Sequence, residues 1–242
     1  MNQFPHEFEA LLSRTGRKVL AGTHAASGAL LREGFFAVPG LLEPKLLAGC
    51  RKLLARTFES TLVEISRPLP PPTGSAQSYE DVLPKVGRML SVPITSLEQY
   101  VMRRLAKEIG LLQMLESESF RRFSEVLAGV PLGPLAAAQV LCNRRGDYAG
   151  PHTDNHPNEP GAQNGYVDVH FTFVTPGVRE QFIVYQRDGH LSAMAPIAVD
   201  GTVTAYRLPL WHYTTPLQTR SSADRRWLVL GSFHFASSGR AT

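Results

Sequence analysis

At 242 residues the chain lies near the upper size of a single core, and one domain spanning residues 1–242 is expected. Apolar residues make up 43%, enough for a folded interior, yet no apolar run approaches the roughly 20 residues of a membrane span. The net charge of +4 is modest and is not gathered into Lys/Arg clusters with interleaved aromatics, so neither nucleic acid nor membrane is an expected partner.

Taken in chain order, Leu31 to Leu42 holds a short apolar stretch, and Leu42, Leu46, Leu47, Cys50, Leu53, Leu54 and Phe58 then recur at three-to-four spacing. That period predicts an amphipathic helix over residues 43–59. Arg67 to Ser75 is too rich in proline for a helix or a central strand. Leu97, Val101, Leu105, Ile109 and Leu112 predict a second helix, with Ser96 as its N-cap, and 115–127 a third. These helices are expected to cover one sheet from outside. Cys50 and Cys142 sit in apolar contexts and read as buried thiols. With no basic-then-apolar leader pattern in the first residues, a cytoplasmic location is expected.

From residue 136 the pattern changes to short strands parted by turn signals: Ala136–Asn143, Tyr166–Val174, Gln181–Tyr185, Gly201–Tyr206, the stretch around Leu210–Leu217, and Arg226–Phe235. Such spacing indicates a double-stranded β-helix, or jelly roll. The expected fold is mainly β with a helical supplement. Residues 1–135 form a mostly helical support, packed against a jelly-roll core over 136–242.

His152-Thr153-Asp154 follows the turn Arg144-Arg145-Gly146-Asp147-Tyr148. Side chains two apart on an extended segment share a face, so this histidine and carboxylate project together. With His212 from a distant strand they make a face of two imidazoles and one carboxylate. That set leaves adjacent coordination positions open and suits ferrous iron that must bind a co-substrate and dioxygen together. The spacing alone also fits an ordinary turn pair, so the surroundings carry the weight.

Those surroundings run strand, Gly146-Asp147-Tyr148, His152-Thr153-Asp154-Asn155, a Pro/Gly/Asn-rich loop, strand, His212-Tyr213-Thr214-Thr215-Pro216, and Arg226 heading an aromatic-aliphatic strand. This order resembles the Fe(II)/2-oxoglutarate-dependent dioxygenases, and among them the prolyl-hydroxylase-like branch. The resemblance covers residues 136 to 236 closely and extends weakly to Leu31–Leu42. It implies that His152, Asp154 and His212 hold Fe(II) and that Arg226 binds the distal carboxylate of 2-oxoglutarate. It also makes Asn143 and Thr172 candidates for further contacts to that co-substrate. With O2, the implied reaction yields succinate, carbon dioxide and an oxidised C–H bond. Halogenating relatives lack the carboxylate, so Asp154 implies hydroxylation. The chain departs from the pattern at Leu228, where some members carry a serine. Arg225 could exchange roles with Arg226, which is preferred because it directly precedes the strand.

Three readings follow. The first is an oxygenase hydroxylating a small molecule such as an amino acid or natural-product intermediate, favoured by the compact chain and the lack of a second recognition module. The second is the same chemistry on a prolyl or other residue of a protein or peptide. The third is a non-catalytic metal-binding jelly roll acting as a sensor. Arg226 argues against the third, since a buried charge without a purpose is costly. Other histidines read differently: His156 as a neighbour of the ligand set, His170 as either pocket-lining or surface, His190 and His234 as structural or solvated. Trp211 reads as barrel packing. The loops at Arg67–Asp81 and His156–Gly165 have the composition of lids over the site.

Overall fold

The computed structural model describes residues 1–67, 87–96, 100–154 and 165–236. A short 3-10 turn at Phe8–Leu11 leads into α1 (Arg14–Leu20), whose N-cap Ser13 accepts a bond from the Gly16 amide. Next come α2 (Ala29–Glu33), β1 (Phe35–Val38) and α3 (Pro44–Phe58). Proline stands at the start of α3, where the missing N–H is not needed, and Leu47, Cys50, Leu53, Leu54 and Phe58 form its buried stripe.

The next helical stretch departs from expectation. In place of one helix through residues 97–112 there are α4 (Tyr100–Glu108) and α5 (Leu111–Leu115). Gly110 divides them with φ of 74°, and a Cβ there would come within 2.9 Å of the Phe4 carbonyl oxygen. The amino-terminal segment takes up the Ile109 carbonyl, to which the Phe4 N–H donates at 2.7 Å, in place of the amide four residues on that a continuous helix would supply. The third helix, α6 (Glu118–Ala128), starts later than expected because Ser117 caps it, accepting from the Phe120 amide at 3.2 Å. Residues 68–75 of the proline-rich stretch lie outside the described residues.

The remaining elements are strands. Beyond β1 they are β2 (Val63–Arg67), β3 (Gly87–Pro93), β4 (Leu132–Asn143), β5 (Tyr148–Ala149), β6 (Tyr166–Val174), β7 (Val178–Glu180), β8 (Phe182–Arg187), β9 (His190–Pro196), β10 (Val203–Leu208), β11 (His212–Thr214), β12 (Gln218–Thr219) and β13 (Arg226–Phe235). An antiparallel sheet runs β1-β10-β6-β13-β4-β3-β2, with β5 pairing β3. A smaller sheet, β11-β8-β9, and the pair β12-β7 complete the architecture. The stretch expected to be mostly helical thus also gives β1, β2 and β3 to the large sheet. β2 is an edge strand with every residue exposed, and β9 is largely exposed, so neither carries the burial pattern that marks a strand in sequence.

Period two sorts the large sheet. Val167, Val169, Phe171 and Phe173 of β6, with Trp227, Val229 and Phe233 of β13, are buried in the core shared with the helices. Phe120 of α6 meets Phe8, Phe171 and Phe233 with ring centroids 5.1, 5.2 and 5.1 Å away. The opposite phase, including Asp168, His170, Arg226 and Ser232, lines a cavity of about 610 Å³. Among the described residues no helix is long and apolar enough to cross a membrane. Phe120→Ala should lower unfolding free energy by about 3–5 kcal/mol, because helix and sheet both lose a filled position. Denaturant unfolding checks this, and a loss below about 1 kcal/mol would show that α6 does not hold the sheet through this ring.

Candidate metal and anion site

The Gly146-Asp147-Tyr148 turn is fixed before the first site residue is reached. Asp147 is fully buried, and its carboxylate receives Arg88 Nε at 2.7 Å, Arg144 Nε at 3.2 Å and the Arg144 amide at 2.8 Å. Beyond β5, His152 pairs with His212: each backbone N–H donates to the other's carbonyl at 3.0 Å. This hydrogen-bonded antiparallel pair sets two imidazoles side by side, with ring centroids 4.4 Å apart.

Each ring is also turned. His152 Nδ1 lies 2.5 Å from Gly150 O, and His212 Nδ1 lies 2.9 Å from Leu210 O. A carbonyl only accepts, so both Nδ1 atoms donate, and in the neutral rings a metal ligand requires both Nε2 atoms present lone pairs. The Nε2 atoms face Asp154, at 3.4 Å from its Oδ1 and 3.7 Å from its Oδ2 respectively. Ligand atoms of all three residues lie within 4.8 Å of one another. Convergent imidazole lone pairs with their opposite nitrogens held by carbonyls fit a divalent transition metal.

Arg226, the first residue of β13, is 3% exposed and lines the same cavity. Its Nε donates to Ile197 O at 3.0 Å, Nη1 to Gln181 Oε1 at 3.1 Å and Nη2 to Thr172 Oγ1 at 3.2 Å. All three acceptors are neutral, and among the described residues no carboxylate pairs with it. Burial lowers its pKa from 12.5 to about 9. A guanidinium has five N–H donors, so three bonds to the protein leave two for an anion.

The sequence candidates around this arginine divide. Asn143 pairs with Arg226 in register, is buried, and lines the cavity. Thr172 is fully buried and stands outside the lining; its hydroxyl accepts from Arg226 instead. Arg225 points away, donating to Ser222 O at 2.6 Å and Asp224 O at 3.0 Å. Gln181, Tyr206 and Asp168 were not among the expected site residues. Tyr206 adjoins both His212 and His170, with ring centroids 4.8 Å and 5.1 Å away. Burial first, then the negative charges of Asp154 and Asp168, hold its phenol protonated. His234 lines the cavity, whereas His190 is exposed. Trp211 is 41% exposed and does not fill the barrel. His156, and the two lid segments except Arg67 and Gly165, lie outside the described residues.

His170 is pocket-lining: although part of the residue reaches the cavity surface, its Nε2 is buried without a hydrogen-bond partner. Burial, helped by the charge of Arg226, lowers its pKa from 6.5 to about 3. The unfolded chain therefore takes up a proton here as pH falls below about 6.5 that the folded chain refuses until about 3, so stability falls with pH in that window. His170→Gln should remove about one proton's worth of that slope between roughly pH 4 and 6 in urea unfolding of the metal-free protein. An unchanged slope would mean that the folded ring takes the proton.

No protein-family model matches the chain, and no curated protein matches its sequence. Solved structures do resemble it. One is an oxidoreductase of the 2OG-Fe(II) oxygenase family from Burkholderia pseudomallei, 15% identical over 91% of this chain and 92% of its own, with a TM-score of 0.57. Another is the non-heme alpha ketoglutarate dependent epimerase SnoN from nogalamycin biosynthesis, 17% identical over 94% of this chain and 85% of its own, at 0.56. A third is a Trichoplax adhaerens prolyl hydroxylase in complex with a hypoxia inducible factor peptide fragment, 14% identical over 91% and 90%, at 0.52. At these identities the likeness is one of fold: the chain shares the double-stranded β-helix architecture of these enzymes over nearly its whole length.

Proposed function

We propose that the chain is an Fe(II)/2-oxoglutarate-dependent oxygenase that hydroxylates a small molecule. The observation that carries this reading is the joint presence of His152, Asp154, His212 and the buried Arg226 in one cavity. When bound, iron, 2-oxoglutarate and O2 supply an oxidant for an unactivated C–H bond, with succinate and carbon dioxide as co-products.

The chain's own residues do the placing. His152, Asp154 and His212 hold one face of the metal and leave the other positions to exchangeable ligands. Arg226 receives the distal carboxylate, and its neutral partners leave its attraction for an anion uncancelled in a low-dielectric site. Asn143 and the protonated Tyr206 offer hydrogen bonds along the cavity wall. Leu228, Leu230, Ile183 and Ile197 line the cavity and keep water from the reacting bond. A volume of about 610 Å³ suits a small molecule beside the co-substrate. SnoN acts in natural-product biosynthesis by its description, which agrees with this substrate class. Cys50 and Cys142 are buried free thiols whose pKa burial raises to about 12, in keeping with a reducing cytoplasm.

His152→Ala and His212→Ala should each abolish turnover and sharply weaken Fe(II) binding in anaerobic calorimetry, and Asp154→Gly should remove hydroxylation. Turnover is read as substrate-dependent succinate release across a panel of amino acids and peptides. Wild-type succinate formation in either histidine variant would sink the metal assignment.

Arg226→Ala should raise the Kd for 2-oxoglutarate by roughly two to four orders of magnitude while Fe(II) binding persists, since removing one partner of a buried charge pair costs about 3–5 kcal/mol. Arg225→Ala should change it little. The reverse ranking would move the anchor to Arg225, and two small effects would count against 2-oxoglutarate.

A further inference from the structure

Two polar side chains on the cavity wall find no partner in the described protein. His170 of β6 and Thr204 of β10 stand opposite each other in cross-strand register, and both line the cavity. Residues so placed carry their Cβ atoms about 4.5–5.5 Å apart. His170 Nε2 and Thr204 Oγ1 are each buried with no hydrogen bond among the described residues. The same wall satisfies such atoms elsewhere: Thr172, two residues along β6, accepts from Arg226 Nη2. An unmet buried polar atom destabilises the fold, so two facing each other in a cavity call for a ligand.

We propose that His170 and Thr204 together form the seat for a neutral hydroxyl of the substrate. Calling the occupant the substrate rests on the oxygenase reading, because that reading disposes of the co-substrate. The polar ends of 2-oxoglutarate go to Arg226 and to the metal, and the two methylenes between them neither donate nor accept. The chemistry of the seat sets the class of group it takes. Burial, helped by the charge of Arg226, lowers the His170 pKa to about 3, so the imidazole is neutral near neutral pH. Imidazole and threonine hydroxyl can then each donate and accept, and an alcohol can answer both. An ammonium has no acceptor and a carboxylate no donor, and either would lie desolvated against uncharged partners. The seat is also close to the candidate metal face. The His170 ring lies 5.1 Å from that of Tyr206, which lies 4.8 Å from that of His212. Leu230, the partner of His170 on β13, lines the same cavity and gives the carbon frame of an alcohol an apolar neighbour. Neither polar atom is bonded where it stands, so turning it to a ligand within the side chain's own rotamers breaks no bond.

The test uses three probes of one shape, cyclohexanol, cyclohexylammonium and cyclohexanecarboxylate, titrated calorimetrically into anaerobic protein carrying Fe(II) and 2-oxoglutarate. Cyclohexanol should bind most tightly. His170→Phe and Thr204→Val should each weaken it about three- to tenfold, the loss of one neutral hydrogen bond, and leave the two charged probes within about twofold. The 2-oxoglutarate Kd should also stay within about twofold in both variants. Ligand-free Thr204→Val should melt at or above the wild-type temperature, because a methyl replaces an unmet hydroxyl. Absent or unselective cyclohexanol binding, or a preference that survives both substitutions, overturns the proposal. So does a rise in the 2-oxoglutarate Kd, which would give the seat to the co-substrate, or a lower melting temperature of Thr204→Val, which would make the hydroxyl structural. If His170→Phe lacks the wild-type melting transition, a crystal structure of the wild type with cyclohexanol decides. Its oxygen within hydrogen-bond reach of both side chains is expected, and a water there with the alcohol elsewhere overturns the idea. The probes are also titrated without iron and co-substrate, where the same preference is expected. Failure of iron or 2-oxoglutarate binding thus counts against the oxygenase reading alone.

Discussion

Placing a guanidinium inside the barrel is the constraint around which the site is organised. Arg226 is buried, so each of its N–H groups must find an acceptor or remain costly. The fold meets three of these needs with Thr172 from β6, the carbonyl of Ile197 after β9, and the side chain of Gln181 before β8. Gln181 is itself fully buried, and its amide donates to Asp147 O at 3.2 Å and Thr215 O at 2.9 Å. One side chain therefore joins the arginine to the turn that launches His152 and to the strand end beyond His212. A network of this kind fixes geometry better than its separate bonds would, because losing one member strands the others.

The metal face rests on a different kind of precision. His152 and His212 come from segments far apart in sequence, and what aligns them is the pair of backbone bonds they exchange. Because side chains alternate along a strand, a slip of one residue would send one imidazole to the opposite face and dissolve the set. The two Nδ1 bonds to Gly150 O and Leu210 O then remove the rotational freedom that register leaves. Both carbonyls lie two residues before their histidine, so each imidazole is oriented by its own strand.

Much of this was legible in the sequence because strong periodicity survives folding. Helix α3 and strands β6 and β13 stand where their apolar spacing put them, and the His152, Asp154 and His212 side chains meet as the alternation required. The break at Gly110 was hidden because the apolar period continues straight through it; the partner that takes the Ile109 carbonyl there is Phe4, more than a hundred residues away. Strands β2 and β9 were hidden for the opposite reason, since exposed edges carry no burial signature. The choice between Arg225 and Arg226 could not rest on alternation, as β13 is apolar on both faces. Only the structure shows Arg225 turned toward backbone carbonyls at the surface and Arg226 turned inward.

The least legible part was the role of β6, and it was written plainly. Tyr166, Asp168, His170 and Thr172 alternate with Val167, Val169, Phe171 and Phe173. On an ordinary half-exposed sheet such alternation sends the polar phase to solvent. Here helices cover the apolar phase, so the polar phase faces a lumen. Thr202 and Thr204 on and beside β10 are buried as well, which shows that polarity on this face is not a sign of exposure. A strand that alternates polar and apolar, with both phases buried, has to find partners for its polar half inside the protein, as Thr172 does at Arg226 and Asp168 at Ser232. With Asp168 and His170 both lining the cavity, alternation by itself does not distinguish a cavity wall from a solvated face.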